Sequence, residues 1–343
     1  LMRRARRPVL YTGGGVVNAG RAASDALRAL ARETGIPVTS TLMGLGAFPA
    51  SDPQWLGMLG MHGSFEANNA MHDCDLMISI GARFDDRVTG RLDGFSPGSR
   101  KIHVDIDPSS INKNVAVDLG IVGDAGAVTA AMLAEWRARE KESPTDRGRL
   151  ALWHAQIDQW RARKSFAYEP CRQFIKPQYA IERLYALTRG RDVYVTTEVG
   201  QHQMWAAQYY KFNKPNRWMT SGGLGTMGYG WPAAIGVQVA HPDALVIDIA
   251  GEASIQMTIQ ELGCATQHGI PAKAFIINND WMGMVRQWQE LIHGERYSHS
   301  SCAKQPDFVK IAEAYGAKGL RAETVDQLDD VIKQMIEHDG PVL

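Results

Sequence analysis

Short apolar runs that stop at glycine, asparagine or aspartate alternate with amphipathic stretches, and they do so in two successive blocks of the chain. In the first block Pro8-Val9-Leu10-Tyr11 runs into Thr12-Gly13-Gly14-Gly15. Further short runs follow at 37–39, 75–80, 102–106 and 121–122. The stretches 19–34 and 125–139 carry apolar residues at three- to four-residue spacing and are expected as helices, with Asn18 placed to cap the first. Strands separated by helices pair through crossovers rather than hairpins, so the alternation predicts a parallel sheet covered on both faces. From 179 the pattern restarts: helix 179–189, strand 193–196, helix 202–210, strand 218–220, strand 245–249, helix 258–267, strand 274–277, helix 307–315, strand 319–320 and helix 324–338. The expected fold class is α/β, with two doubly wound parallel-sheet domains at 1–140 and 178–343. Residues 141–177 are charged, then rich in tryptophan and proline, and read as a connection holding one helix, 149–163.

Composition narrows the function classes. Lys+Arg and Asp+Glu both number 37, so the formal charge is zero, which argues against a nucleic-acid binder. The longest apolar run, 231–240, is far short of the roughly 20 residues a membrane span needs. Cys74, Cys171, Cys264 and Cys302 form no CxxC and no metal-ligand spacing, and read as reduced thiols of a cytoplasmic protein. The chain opens at Leu1 and closes on Gly340-Pro341-Val342-Leu343, the start of a strand, so both ends are expected to be cut. No signal or transit peptide is visible from Leu1 onward, and a trimmed N-terminus that carried one leaves an organellar location open.

Ligands of open parallel sheets bind at the carboxyl ends of the strands. In the second block those ends carry Glu198-Val199-Gly200-Gln201-His202, Ser221-Gly222-Gly223-Leu224-Gly225-Thr226-Met227, Gly251-Glu252-Ala253-Ser254 and Asn278-Asn279-Asp280-Trp281. A hard cation such as Mg²⁺ takes oxygen ligands, few of them from protein when a phosphate supplies others. Glu252 and Asn279 meet that demand, and the small Gly251 and Ala253 leave backbone N–H groups open to phosphate oxygens. The competing reading is an ordinary capped strand-to-helix turn.

A Gly-acid-small turn, 24 residues (254–277), then Asn-Asn closing an apolar strand resembles the thiamine diphosphate motif. Longer blocks are more specific: Gly200-Gln201-His202-Gln203-Met204-Trp205-Ala206-Ala207-Gln208, Gly222-Gly223-Leu224-Gly225-Thr226-Met227-Gly228-Tyr229-Gly230 and Gly283-Met284-Val285-Arg286-Gln287-Trp288-Gln289. With Met58-Leu59-Gly60-Met61-His62-Gly63 and Gly81-Ala82-Arg83-Phe84-Asp85-Asp86-Arg87-Val88-Thr89-Gly90, they resemble the catalytic subunits of acetolactate synthase (acetohydroxyacid synthase) over nearly the whole chain.

The resemblance implies a function: decarboxylation of pyruvate and carboligation to a second 2-oxo acid, pyruvate or 2-oxobutyrate, early in branched-chain amino-acid biosynthesis. It implies thiamine diphosphate, Mg²⁺ and FAD as cofactors. Glu252, Asn279 and the Trp281 carbonyl would ligate the metal. Gln201, His202, Gly225, Gly251, Ala253, Ser254, Gly283 and Met284 would lie at the thiamine diphosphate. Met227 would wedge beneath its bend and Trp288 would line the substrate channel; as catalytic residues these two are the ones implied. The first domain would hold FAD through Gly13, Gly14, Gly15, Met61, His62, Gly81, Ala82, Arg83, Asp85, Arg87, Asp105, Ile106 and Asp124. One departure stands out: the family's acid in this motif is Asp, and Glu252 is one methylene longer, so either the turn recedes or metal affinity falls.

The family's catalytic glutamate sits in an N-terminal pyrimidine-binding domain, which the sequence read from Leu1 is expected to lack. The chain alone is therefore expected to hold part of a site completed in a homodimer or tetramer, with a regulatory small subunit as further partner, and to make no acetolactate by itself. The alternatives are a related thiamine diphosphate carboligase or oxidase, and a non-catalytic cofactor-binding module.

Overall fold

The first unit is built on a six-stranded parallel sheet. Its strands are β1 (Pro8–Thr12), β2 (Val38–Ser40), β3 (Trp55–Met58), β4 (Leu76–Ile80), β5 (Arg100–Asp105) and β6 (Leu119–Val122), in the order β3-β2-β1-β4-β5-β6. The computed structural model describes residues 1–343 except the side chain of Arg147. It divides the chain into Leu1–Ala167 with Lys211–Asn216, and Tyr168–Tyr210 with Arg217–Leu343.

β1 and β4 are buried along their whole length and pair from Pro8↔Leu76 to Thr12↔Ile80. Central strands of a sheet covered on both faces must be apolar on both, which is why these runs show no alternation. One face carries helices Arg21–Thr34 and Ala125–Glu142, with Leu27, Leu30 and Leu133 packed among Leu10, Ile78 and Val104. The other carries helices Phe65–Asp73 and Ala151–Arg161, with Met71, Trp153, Ile157 and Trp160 packed on Val9, Tyr11 and Met77.

Three features depart from the sequence expectation. Asn18 caps nothing: it ends a one-turn helix, Gly14–Asn18, and the next helix starts after Gly20, whose φ of 91° a side chain would resist. Strand β3 was not expected, because Gly57, at φ 92°, interrupts an already short run. The stretch 141–177 divides at Ala167, and up to there it packs in the first unit. Trp153 is the reason: it is buried and its indole N–H donates to the Pro8 carbonyl at 3.1 Å. Trp153→Phe keeps most of the apolar burial and orphans that carbonyl, so a loss of about 1–2 kcal/mol in urea denaturation is expected.

The second unit holds β7 (Val193–Thr197), β8 (Trp218–Thr220), β9 (Leu245–Gly251) and β10 (Lys273–Ile277), all parallel, in the order β10-β9-β7-β8. The apolar run near 231 forms helix Gly230–Ala240, whose Trp231, Ala234 and Ile235 pack on Val246 and Ala250. The expected helix 258–267 divides into a 3₁₀ turn Ile259–Glu261 and a helix Leu262–Gln267, and a separate one-turn helix, Glu252–Ile255, precedes it. Residues 319–320 form no strand. Lys318 makes a single bridge to Val342, and the Ala274 N–H donates to the Val342 carbonyl at 2.8 Å. Among the described residues no helix is long and apolar enough to cross a membrane.

Candidate functional site

Parallel pairing brings the four strand ends of the second unit to one edge. Ile277 pairs with Gly251, and Thr197 pairs with both Ile249 and Thr220, so Asn278, Glu252, Glu198 and Ser221 all emerge on the same side.

Glu252 is 2% exposed, and its Oε1 has no hydrogen-bond partner. Burial raises its pKa above the ordinary carboxylate value, and the nearby Asp280 charge adds to this. Its own N–H and those of Trp281 and Asn279 face the carboxyl and hold the shift back. A buried carboxylate oxygen lacking a donor is costly unless a cation or proton completes it. The turn after β10 brings the backbone N–H groups of Asn279 and Trp281 to the same carboxyl. The Asn279 side-chain oxygen accepts from the Trp281 N–H at 3.2 Å and keeps a free lone pair direction. Asp280, at φ 62°, reverses the chain between them. An oxygen-only donor set of one carboxylate, one amide and one backbone carbonyl fits Mg²⁺, not zinc. Among the described residues no cluster of three His, Cys, Asp or Glu forms. The Glu252 carboxyl reaches the backbone N–H groups of the neighbouring turn.

His202 closes the inner side of this turn. Its ring is buried and held neutral, with its pKa pushed down to about 3 by burial. A Cβ on Gly251 would stand 2.6 Å from its Nδ1, and one on Gly200 would stand 2.7 Å from its Cε1. Both glycines are therefore dictated by the imidazole. Ser254 is occupied within the turn: its Oγ accepts from the Gly251 N–H at 3.2 Å and lies 3.4 Å from His202 Nε2. Ala253 follows Glu252, half-buried. Gln201 donates to Gln287 Oε1 at 3.0 Å, and its own Oε1 fills the space a Cβ of Gly283 would need. Helix Gly283–Leu291 thus abuts helix Gln201–Tyr209 at their N-terminal ends. Met284 and Trp288 lie one turn apart on the same helix face; Trp288 is 37% exposed. The Trp281 ring is held from above by the Arg286 guanidinium, 4.1 Å from its centroid.

Met227 is half-buried in a turn that follows Gly225, which has φ 66°. The neighbouring Gly228 N–H donates to Glu198 Oε2 at 2.5 Å, and the Trp231 N–H donates to Oε1 at 3.0 Å. Glu198 was given no role from the sequence. The signal available was an acid placed directly after a buried strand.

The carboxyl edge of the first unit collects the other expected residues, around the point between β1 and β4 where the strand order reverses. The three glycines after β1 serve the packing of the chain itself. The Gly13 N–H donates to the Ile80 carbonyl and the Gly15 N–H to the Gly81 carbonyl, each at 3.0 Å. A Cβ on Gly15 would stand 2.6 Å from Gly81 Cα, and one on Gly13 2.8 Å from Ala82 Cα. Gly13 and Gly15 serve an approach of the chain to itself, and their N–H groups are spent there; Gly14 faces Met43. The Met61 N–H donates to the Arg87 carbonyl at 2.8 Å, and burial together with the Arg87 charge lowers the pKa of His62, so the loops after β3 and β4 meet. Arg83 pairs with Asp85, and Arg87 with Asp86 at 3.4 Å, as solvent-facing ion pairs. Asp105 Oδ1 accepts from the Asp107 N–H, and Asp124 caps helix Ala125–Glu142 through the Ala127 N–H, both at 2.9 Å. Ile106 is 72% exposed beside them.

Comparison with known proteins gives a consistent picture. The profile described as "Thiamine pyrophosphate enzyme, central domain" matches residues 1–132, and "Thiamine pyrophosphate enzyme, C-terminal TPP binding domain" matches residues 198–343. The chain is 47% identical over 330 residues to the acetolactate synthase large subunit of Haemophilus influenzae, covering 96% of this chain and 56% of that one. It is 47% identical to the acetolactate synthase isozyme 3 large subunit of Escherichia coli, covering 97% and 57%. It is 46% identical to the mitochondrial acetolactate synthase catalytic subunit of Saccharomyces cerevisiae, covering 100% and 50%. The chain spans about half the length of the curated relatives it matches. With both unit folds accounted for and this similarity running through the buried turn of Glu252, the chain belongs to the thiamine pyrophosphate enzymes, as a homologue of the acetolactate synthase large subunits.

Proposed function

We propose that this chain is the cofactor-holding part of an acetolactate synthase: decarboxylation of pyruvate and carboligation to pyruvate or 2-oxobutyrate, on the route to branched-chain amino acids. The observation that carries the reading is the buried Glu252 with an unpartnered Oε1 beside Asn279, in a chain homologous to acetolactate synthase large subunits. Thiamine diphosphate, when bound, supplies a nucleophilic carbon and an electron sink for the decarboxylation. The chain's own residues bind and orient. Glu252, Asn279 and the Trp281 carbonyl would hold Mg²⁺, and Gln201, His202, Gly225, Gly251, Ala253, Gly283 and Met284 would surround the diphosphate. Neutral His202 suits this task, because it packs against the turn without competing with the metal for the carboxylate. Ser254 would act by holding Gly251 in place. Met227 would support the bent cofactor from below, and Trp288 would line the path of the 2-oxo acid.

In the first unit, FAD would lie along the carboxyl edge, near Met61, His62, Gly81, Ala82, Arg83, Asp85 and Arg87, with Asp105, Ile106 and Asp124 at its adenosine end. Gly13, Gly14 and Gly15 would shape the floor of that edge. A regulatory small subunit is supported by the relatives named as large subunits; a homodimer or tetramer and a cytoplasmic location complete the reading, with an organellar one as the alternative.

The test is a product assay of the full-length protein with thiamine diphosphate, Mg²⁺ and FAD. Acetolactate from pyruvate alone, and acetohydroxybutyrate when 2-oxobutyrate is added, are expected. Peroxide formation would point to an oxidase. Cofactor binding without any product would point to a non-catalytic module.

A further inference from the structure

The turn that carries Met227 is tied down on both sides of that residue. Before it, the Thr226 N–H donates to Ser221 Oγ at 2.9 Å. After it, the Gly228 N–H donates to Glu198 Oε2 at 2.5 Å, the Trp231 N–H donates to Glu198 Oε1 at 3.0 Å, and Thr258 Oγ1 donates to the Gly228 carbonyl at 3.0 Å. Gly228 has φ 90° with Met257 and Thr258 packed on it, so the bend has no room for a side chain. Glu198 is fully buried. Its two oxygens receive diverging N–H groups at the start of helix Gly230–Ala240, where the helix dipole favours an anion. An ionised carboxylate accepts strongly at both oxygens; a protonated acid accepts only weakly through its hydroxyl, and an amide would turn a donor toward one of those N–H groups.

A second buried acid stands next to this arrangement. Asp248 on β9 accepts from Thr196 Oγ1 at 3.2 Å through Oδ1, and its Oδ2 has no partner. Its Oδ1 and the Glu198 backbone together fill the space a Cβ of Gly230 would take. Burial raises the pKa of both acids. The backbone N–H groups of Trp231, Gly228, Gly230 and Tyr229 pull Glu198 back, whereas Asp248 has one hydroxyl and the Glu198 charge pushes it further up. The proton therefore belongs to Asp248, and Glu198 keeps its charge.

Resting on the reading of Met227 given above, we propose that Glu198 is a positioning residue: its carboxylate locks the 226–231 turn and so sets the height of Met227 beneath the bend of thiamine diphosphate. It then governs binding of the whole bent cofactor and not of its diphosphate end, which lies at a different turn.

The experiment compares thiamine diphosphate with inorganic pyrophosphate, both with Mg²⁺, by calorimetry on the full-length protein. Glu198→Gln is expected to weaken thiamine diphosphate about tenfold while pyrophosphate stays within about twofold. Asp248→Asn, which replaces a neutral acid by a neutral amide, is expected to move neither. Equal weakening of both ligands in Glu198→Gln would mean a general loosening and would overturn the proposal. So would an unchanged affinity for thiamine diphosphate. If Glu198→Gln does not fold, the double variant Ser221→Ala, Thr258→Val removes two ties made by half-buried side chains, and the same split between ligands is expected. A wild-type protein that binds pyrophosphate and thiamine diphosphate equally well would leave the metal and diphosphate site standing and overturn the role of Met227, and this proposal with it.

Discussion

Glu252→Gln is expected to lower the Mg²⁺-dependent affinity for thiamine diphosphate at least about a hundredfold, more than the loss of a residue that merely orients a metal ligand. The same substitution is expected to stabilise the metal-free protein by about 1 kcal/mol at neutral pH, because it removes a buried charge that has no counter-ion there. The two effects have one cause. Oε1 of Glu252 is buried and without a donor, which leaves it open to a cation or a proton. The sign with pH follows. The folded-state pKa is raised, so below the ordinary carboxylate value both states are protonated and the site is not strained. Stability is then lost as pH rises through the folded value, where the buried carboxyl must ionise. Wild-type metal-free protein should thus lose stability over that window while Glu252→Gln does not. Mg²⁺ affinity should fall as pH drops through the same window, because the proton competes for the carboxylate. Calorimetric titrations with and without Mg²⁺, and urea denaturation in chelator across that range, check both halves. Unchanged affinity in Glu252→Gln would mean that Glu252 is not a ligand.

Gly81→Ala is expected to destabilise the protein by about 3 kcal/mol or more in urea denaturation. Gly81 has φ 62°, and a Cβ there would stand 2.6 Å from Gly15 Cα and 3.0 Å from Gly15 N. The obstacle is backbone, which cannot swing aside as a side chain can. Its N–H also donates to the Val104 carbonyl at 2.8 Å, so the turn cannot slide without breaking the bond to the next strand. Gly98 is the control: a Cβ there meets nothing within 4 Å, and Gly98→Ala should stay within about 0.5 kcal/mol. A Gly81→Ala protein as stable as wild type would show that the two turns do not pack as described.

The alternation of apolar runs and helices was enough to read the layered α/β architecture, because a strand buried on both faces is a continuous apolar run that a short window detects. What escaped were elements whose signal is not local. Strand β3 is four residues with Gly57 inside, and it is a strand because β2 offers Val38 and Ser40 to pair with. Helix Ala151–Arg161 joins the first unit because Trp153 finds a buried slot and a carbonyl on β1, neither of which is marked near residue 153. Asn18 is a good capping residue by type, yet the chain needed a left-handed turn at Gly20 first.

For the candidate site, residue type and position along the chain pointed to Glu252, Asn279 and the turns around them, since an acid and amides directly after apolar strands must gather at one edge of a parallel sheet. The sequence by itself also determined which turns could be sharp, through Gly200, Gly228 and Gly251. Only the tertiary structure decided what those glycines make room for. Gly251 yields to the His202 ring, Gly283 to the Gln201 carboxamide, and Gly13 and Gly15 to the Gly81 turn. Only it decided which buried acid holds a proton, because that depends on how many N–H groups converge on Glu198 and how few reach Asp248. The physical reason is the same in each case. Strand and helix periodicity is written in neighbours along the chain, whereas close approach and charge are set by groups dozens of residues apart that meet only once the sheet has ordered its strands.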